Sequence, residues 1–259
     1  MKKTLRSSLS ALVLSPLLLA ACGGSAAIAT DGENAADSAD TASVTASMSS
    51  LTTDGVDASA TTAAAAATSA QVKALALLSP QGCATAQVVG STVNYALNGC
   101  TGPYGLLNVT GSVSATYAVA AGTVTVTLSG ANLKANGSTV NLNATATVTG
   151  AAGSRQAMVT SSTSAQTARG RTITHSGSYT AGWDGTCLTL TGAFTTQIGL
   201  LGWSTSITNY KRCQGMCPAS GTVVITAGSN TATVTFAGGA TVSYTDNKGD
   251  SGTVTLSCK

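Results

Sequence analysis

Apolar and polar residues alternate with period two from Cys83 to the end of the chain. In the clearest segments the apolar side chains share one parity while Thr, Ser and Asn fill the other: 109–119, 124–128, 140–148, 232–236 and 254–256. Such alternation indicates strands with one buried and one wet face. Glycine-containing breaks recur at spacings that suit hairpins. The pattern predicts an all-β domain over 71–259, with about a dozen antiparallel strands in a sandwich or a large curled meander sheet.

Residues 22–70 have a different composition, dominated by Ala, Ser, Thr and Asp and without any aromatic residue. A segment with so few large apolar side chains buries too little surface to repay the entropy of ordering, so we expect a disordered tether. Random-coil scaling gives this tether a span of roughly 35 to 40 Å. The alanines allow one isolated helix within and just beyond it, over 61–76.

The first 21 residues are typical of a secretory signal peptide. Lys2, Lys3 and Arg6 form a basic start, an apolar stretch follows over 9–19, and small residues precede Cys22. The apolar stretch is too short for a transmembrane helix, which needs about 20 residues. The pattern therefore predicts export.

Leu19-Ala20-Ala21-Cys22 resembles the lipobox of bacterial lipoproteins. The resemblance implies that the Cys22 thiol carries acyl chains such as palmitate, that the preceding peptide bond is cut, and that Cys22 becomes the first mature residue. Two or three acyl chains give stable anchoring, so the membrane is the expected partner. Gly23 in place of an aspartate favours the outer membrane. The expected location is the cell envelope, through a lipid anchor.

Charge divides the chain between the predicted tether and the predicted domain. The tether carries six acidic residues and no Lys or Arg: Asp31, Glu33, Asp37, Asp40, Asp54 and Asp57. From Gln71 onward nine basic residues face three aspartates, a balance of plus six. A mildly basic domain could meet an anionic envelope glycan or lipid. Because no basic run exceeds two residues, we favour a solubilising surface and expect no nucleic-acid partner.

Six cysteines follow Cys22, and an even number in an exported chain indicates disulfides. Hairpin geometry favours Cys83 with Cys100, Cys187 with Cys213, and Cys217 with Cys258. The rival arrangement joins Cys213 to Cys217 across a tight loop and leaves Cys187 for Cys258. A redox or metal site is disfavoured because there is no C-x-x-C and only one histidine.

Catalytic motifs give no support for an enzyme. Gly249-Asp250-Ser251-Gly252 resembles the nucleophile motif of trypsin-like serine proteases, and His175, Asp184 and Ser251 follow that family's order. The sequence after Ser251 is too short for that family's specificity pocket, and His175 lies in the wrong context. We interpret the string as a turn entering the last strand, and His175 as a surface or half-buried residue. We predict no cofactor and no metal, and we interpret the carboxylates around Asp246 as turn residues rather than calcium ligands.

A few aromatic and basic residues remain as candidate ligand contacts: Trp183, Trp203, Tyr210, Lys211 and Arg212. They could stack on a sugar or bind a protein partner, although packing at a sheet corner is the favoured interpretation. Repeated T-x-T strings, also found on ice-binding sheets, are interpreted as wet-face strand residues. The leading hypothesis is a non-enzymatic envelope module, structural or adhesive. The alternative is a carrier that holds a lipid or glycan on the concave face of a curled sheet.

Overall fold

The structure, a computed structural model, describes residues 24–57, 59–120, 123–149, 155–199, 201–256 and 258. The predicted signal peptide and Cys22 lie outside the described residues. Two helices precede thirteen strands: α1 (Gly24–Thr53), α2 (Ala63–Leu77), β1 (Ala84–Val89), β2 (Thr92–Cys100), β3 (Val109–Ala120), β4 (Thr123–Ala135), β5 (Ser138–Thr149), β6 (Gln156–Gln166), β7 (Thr172–Trp183), β8 (Cys187–Ile198), β9 (Leu201–Cys213), β10 (Ser220–Ala227), β11 (Asn230–Phe236), β12 (Thr241–Asp246) and β13 (Ser251–Thr255).

The strands form one antiparallel meander in which every strand pairs with its neighbours along the chain, from β1 to β13. This confirms the prediction of an antiparallel all-β sheet and selects the single curled meander over the sandwich. Along β5, for example, apolar residues such as Leu142 and Val148 are buried while Asn141 and Asn143 are exposed. The period-two pattern therefore assigns the two faces correctly.

Helix α1 lies inside the curl of this sheet. From Asn34 to Thr53 every residue except Asp40 is buried, although successive helical residues point in directions about 100° apart. A helix buried on all sides must be surrounded, and α1 contacts every strand from β4 to β13. Helix α2 packs against the remaining strands, β1 to β3, and against α1.

Small side chains allow α1 to occupy this interior. Its alanines let the strands approach closely, and several of its hydroxyl groups donate to the helix's own backbone, such as Thr45 Oγ1 to Thr41 O at 3.0 Å and Ser49 Oγ to Thr45 O at 2.9 Å. Thr52 and Thr53 make similar bonds to carbonyls one turn earlier. A polar residue whose hydroxyl is satisfied within its own helix can be buried without the desolvation cost of an unpaired group.

The prediction of a disordered tether is therefore corrected for residues 31–53, which are helical and packed within the sheet. The composition was misleading because the large apolar side chains of this core come from the strands and the small ones from the helix. Helix α2 agrees with the helix predicted over 61–76. Thr62 caps it by accepting a hydrogen bond from Ala65 N at 3.2 Å.

The three disulfides have the pairing that hairpin geometry favoured. Cys83 joins Cys100, Cys187 joins Cys213, and Cys217 joins Cys258. Cys187 and Cys213 are register partners on β8 and β9, so the bridge ties the open end of that hairpin. The rival link between Cys213 and Cys217 is excluded in this structure. Each bridge contributes about 2 to 4 kcal/mol to folding.

Because α1 is enclosed, we expect that replacing one of its alanines by a larger residue lowers the stability of the fold. Ala46→Leu in α1, where the residue is fully buried, should lower the free energy of unfolding by about 1 to 3 kcal/mol because the interior has no room for the larger side chain. Ala65→Leu in α2, which is exposed, is the matched control and should change it by less than about 0.5 kcal/mol. Urea denaturation of both variants measures the difference. Equal stability of the two would contradict enclosure.

Candidate functional site

The interface between α1 and the inner face of the sheet contains the main charged groups of the interior. Asp37, whose side chain is 2 % exposed, binds two arginines of the turn between β6 and β7. Arg171 Nη2 lies 2.6 Å from Asp37 Oδ2, and Arg169 binds the other carboxylate oxygen. Arg171 also approaches Glu33 at 3.8 Å. The arginines of the turn therefore bind the acidic side chains in the first half of α1.

A second pair lies deeper in the interior. Arg212 at the end of β9 is 1 % exposed, and its Nη1 lies 3.5 Å from Asp40 Oδ1. Gly105 permits this arrangement, since a Cβ at that position would lie 2.5 Å from the Arg212 Nε and its φ of +78° disfavours any other residue. Burial raises the pKa of Asp40, and the neighbouring Arg212 partly offsets the rise. Arg212 is shielded from solvent while the Asp40 side chain keeps 21 % of its surface exposed, so loss of Asp40 would leave the guanidinium of Arg212 buried without a counter-charge.

The C-terminal end of α1 is held by a third group of contacts. Asp54 accepts a hydrogen bond from Trp183 Nε1 and forms an ion pair with Lys73 at 3.9 Å, while Arg155 donates to the Asp54 carbonyl. Nearby, Tyr117 donates its hydroxyl to Thr52 O at 2.7 Å. These contacts fix the point at which the chain leaves the interior.

The acidic residues of the predicted tether and the basic residues of the predicted domain thus pair with each other inside the fold. Among the described residues, five of the six ion pairs join an acidic residue of 31–57 to a basic residue from further along the chain. Sequence reasoning noticed the opposite charges but placed them on separate units. The balance of minus six against plus six was the available signal for contact.

The predicted ligand-contact residues do not form one exposed surface. Trp183, Trp203, Tyr210 and Arg212 are buried, with Trp203 6 % exposed and Tyr210 fully buried. Tyr210 packs edge-on against Phe236 with ring centroids 5.2 Å apart. Lys211 is the half-buried member and pairs with Asp184 at 3.5 Å. The structure therefore agrees with the packing interpretation for four of the five.

His175 is more buried than predicted, with 1 % of its surface exposed. It points inward because it shares the parity of Ile173 on β7, and its ring stacks near Phe194 at a centroid distance of 4.1 Å. Its Nδ1 shares a hydrogen bond of 2.9 Å with Thr196 Oγ1. Burial lowers the pKa of His175 to about 3, so the ring is neutral at pH 7. Ser251 is exposed on β13, so the two do not form a catalytic pair in the way the protease motif requires.

The carboxylate-rich stretch between β12 and β13 is a hairpin turn, as predicted. Asp246 Oδ1 accepts hydrogen bonds from the backbone N–H of Lys248 at 2.9 Å and of Asp250 at 2.8 Å. Within the described ranges, no three His, Cys, Asp or Glu side chains are grouped as metal ligands. None of the described helices is long and apolar enough to cross a membrane.

The outer face of the sheet carries neutral polar residues in continuous rows across the strands. One row of register partners crosses ten strands, from β2 to β11: Asn94, Ser114, Ser129, Asn143, Ser162, Ser176, Thr195, Ser204, Thr226 and Thr231. Some neighbouring hydroxyls bond to each other, as between Thr92 and Thr116 at 2.9 Å and between Thr160 and Ser178 at 3.1 Å. The row presents hydroxyl and amide groups without a single charge.

Two of the surface recesses differ in charge: one has an uncharged lining and the other a charged one. The larger, about 760 Å³, lies over β1 to β5 and is lined by amides and hydroxyls including Gln87, Asn94, Ser112 and Asn143. The second, about 460 Å³, lies at the C-terminal end of α1 beside Trp183, Lys73 and Arg155. The first has no charged residue in its lining, so it suits a neutral polar ligand.

Comparison of the chain with protein-family models, with curated proteins and with solved structures finds no match. The described residues form a curled antiparallel meander around helix α1.

Removal of the Asp37 charge should destabilise the fold. Asp37→Asn leaves Arg169 and Arg171 without their shared carboxylate, and because both arginines retain some solvent access we expect a loss of about 2 kcal/mol in the free energy of unfolding. Asp250→Asn in the exposed β12–β13 turn is the control and should stay within about 0.5 kcal/mol of the parent. Urea titration at low and high salt measures both. A loss of stability no greater than that of the control would show that the ion pairs of Asp37 with Arg169 and Arg171 do not stabilise the position of α1.

Buried His175 should make stability depend on pH. Its pKa rises from about 3 in the folded chain to the ordinary 6.5 on unfolding, so below pH 6.5 the unfolded chain binds the extra proton. Stability is therefore full above pH 6.5 and falls as the pH drops towards 3, by about 1.4 kcal/mol per pH unit. His175→Gln should lack this component. Subtracting the two pH profiles between pH 7 and 4 removes the carboxylate contributions, and parallel profiles would contradict the buried neutral ring.

Proposed function

We propose that this chain is a non-enzymatic, lipid-anchored protein of the cell envelope, with a structural or adhesive role. The observation that carries the proposal is the enclosed helix, because α1 occupies the interior where a curled sheet would otherwise hold a ligand. The carboxylates Asp37 and Asp40 of that interior are paired with arginines of the β6–β7 turn and of β9. What the domain offers to other molecules is its outer face of neutral hydroxyls and amides.

The lipid-carrier alternative loses support for the same reason. It needed an apolar cavity lined by Val113, Val126 and the side chains that point to the same face of the sheet. Both valines are instead packed in the common core with α1 and α2. Binding of a glycan keeps support from the uncharged recess over β1 to β5, because side-chain amides and hydroxyls match the hydroxyls of a neutral sugar. Native mass spectrometry of the purified protein distinguishes these cases. A co-purifying lipid would contradict the proposal, and a retained sugar would favour the glycan-binding form of it.

The lipobox resemblance supports the proposed anchor at Cys22. The three disulfides support the proposed envelope location, since such bridges persist in oxidising compartments. Together they favour an exported protein held to the membrane by acyl chains.

Replacement of Cys22 tests the anchor. Cys22→Ala should leave an uncut precursor without acyl chains, because the thiol is the acylation site that the resemblance implies. Ser25→Ala, three residues further on, is the matched control and should be processed like the parent. The measurement is intact-mass analysis of the membrane and soluble fractions. Normal processing and membrane retention of Cys22→Ala would overturn the anchor.

A further inference from the structure

The start of α1 enters the sheet beside the turns of three hairpins. Asp31 and Asn34 border a recess of about 140 Å³ together with residues at the start of β9, the end of β10 and the start of β11, which include Leu201, Ala227 and Asn230. Gly32 lies against the last hairpin, since a Cβ there would be 2.8 Å from Tyr244 and from Val254. The β8–β9 and β10–β11 turns and the β12–β13 hairpin thus lie beside the point where α1 enters the sheet. We call this part of the sheet the entry end.

Little chain separates the entry end from Cys22. Eight residues lie between Cys22 and Asp31, and α1 begins at Gly24. At 1.5 Å per helical residue, the seven of them that belong to α1, 24–30, span only about 10 Å. Even fully extended, the eight residues would span no more than about 29 Å, which is less than the span predicted for the tether from the sequence. An anchor at Cys22 therefore keeps the entry end close to the bilayer.

The entry end also carries side chains suited to a lipid headgroup layer. Leu201 is 65 % exposed at the β8–β9 turn, and Lys248 is exposed in the β12–β13 turn between Asp246 and Asp250. An exposed apolar side chain and a cation at a turn are groups that proteins commonly place at a membrane interface.

We infer that the entry end of the sheet rests on the headgroups of the membrane to which Cys22 is anchored, with the β8–β9, β10–β11 and β12–β13 turns facing the lipid. This inference depends on the acyl anchor proposed above, and it adds the orientation of the domain. The sheet then stands with its strand ends towards the bilayer. Its outer rows of hydroxyls and the recess over β1 to β5 face sideways, into the surrounding envelope.

Fluorescence quenching in vesicles tests the orientation. Full-length acylated protein is reconstituted in phosphatidylethanolamine and phosphatidylglycerol vesicles that contain a lipid with a nitroxide on its headgroup. A thiol-reactive fluorophore is placed at Ser229→Cys in the β10–β11 turn or, as the matched control, at Gln214→Cys beyond the other end of β10. Both positions are exposed and flank the same eight-residue strand. Non-reducing peptide mapping of each variant confirms that the three disulfides are intact before labelling.

The label at 229 should be quenched at least about threefold more strongly than the label at 214, because β10 separates the two by about 27 Å. Equal quenching of both labels, or stronger quenching at 214, overturns the orientation while the acyl anchor stands. Intact-mass analysis of the same samples reports the acyl chains on Cys22 separately. Their absence from the parent protein would overturn the anchor and, with it, the inference.

Discussion

Burial of α1 on all sides is the constraint on which the rest of this structure depends. A helix surrounded by protein has no water to solvate its polar side chains, so partners in the helix or on the sheet lower the free-energy cost of burying them. Thr45 meets both demands, since it donates to Thr41 O and also contacts Thr163 Oγ1 at 3.1 Å. Ser47 donates to Tyr104 O at 2.7 Å. The helix is small enough to be enclosed and polar enough to be held in one register.

Enclosure also explains how a chain with two Phe and two Trp builds a core of this size. Close packing of alanines against strand residues such as Leu142 and Ile173 buries surface without large side chains on the helix. The arginines of the β6–β7 turn and Arg212 then neutralise the acidic residues that the helix brings inside. The disulfides tie the ends of strands and the segments next to them.

Local patterns predicted the sheet and its bridges well, while the role of residues 31–53 was not predictable from them. Alternation reports which face of a strand is buried, so the two faces of β5 followed directly, while the pairing of Cys187 with Cys213 came from the hairpin predicted around 199–202. An enclosed helix has no polar face and therefore gives no helical periodicity, and its Ala, Ser and Thr resemble the composition of disordered chains. The burial of His175 and Arg212 depends on what fills the interior, which the strand pattern alone does not contain.

Hydrogen exchange of the backbone amides of residues 34–53 tests enclosure most directly. In the folded protein these amides should be protected to the same degree as those of β5 to β8, because the helix can exchange only when the surrounding sheet opens. Mass spectrometry of peptides from α1, followed from seconds to hours with reduction only after quenching, makes the measurement. Slow exchange together with the strands supports a sheet closed around its own helix. Complete exchange of 34–53 within seconds, while the strands stay protected, would contradict it.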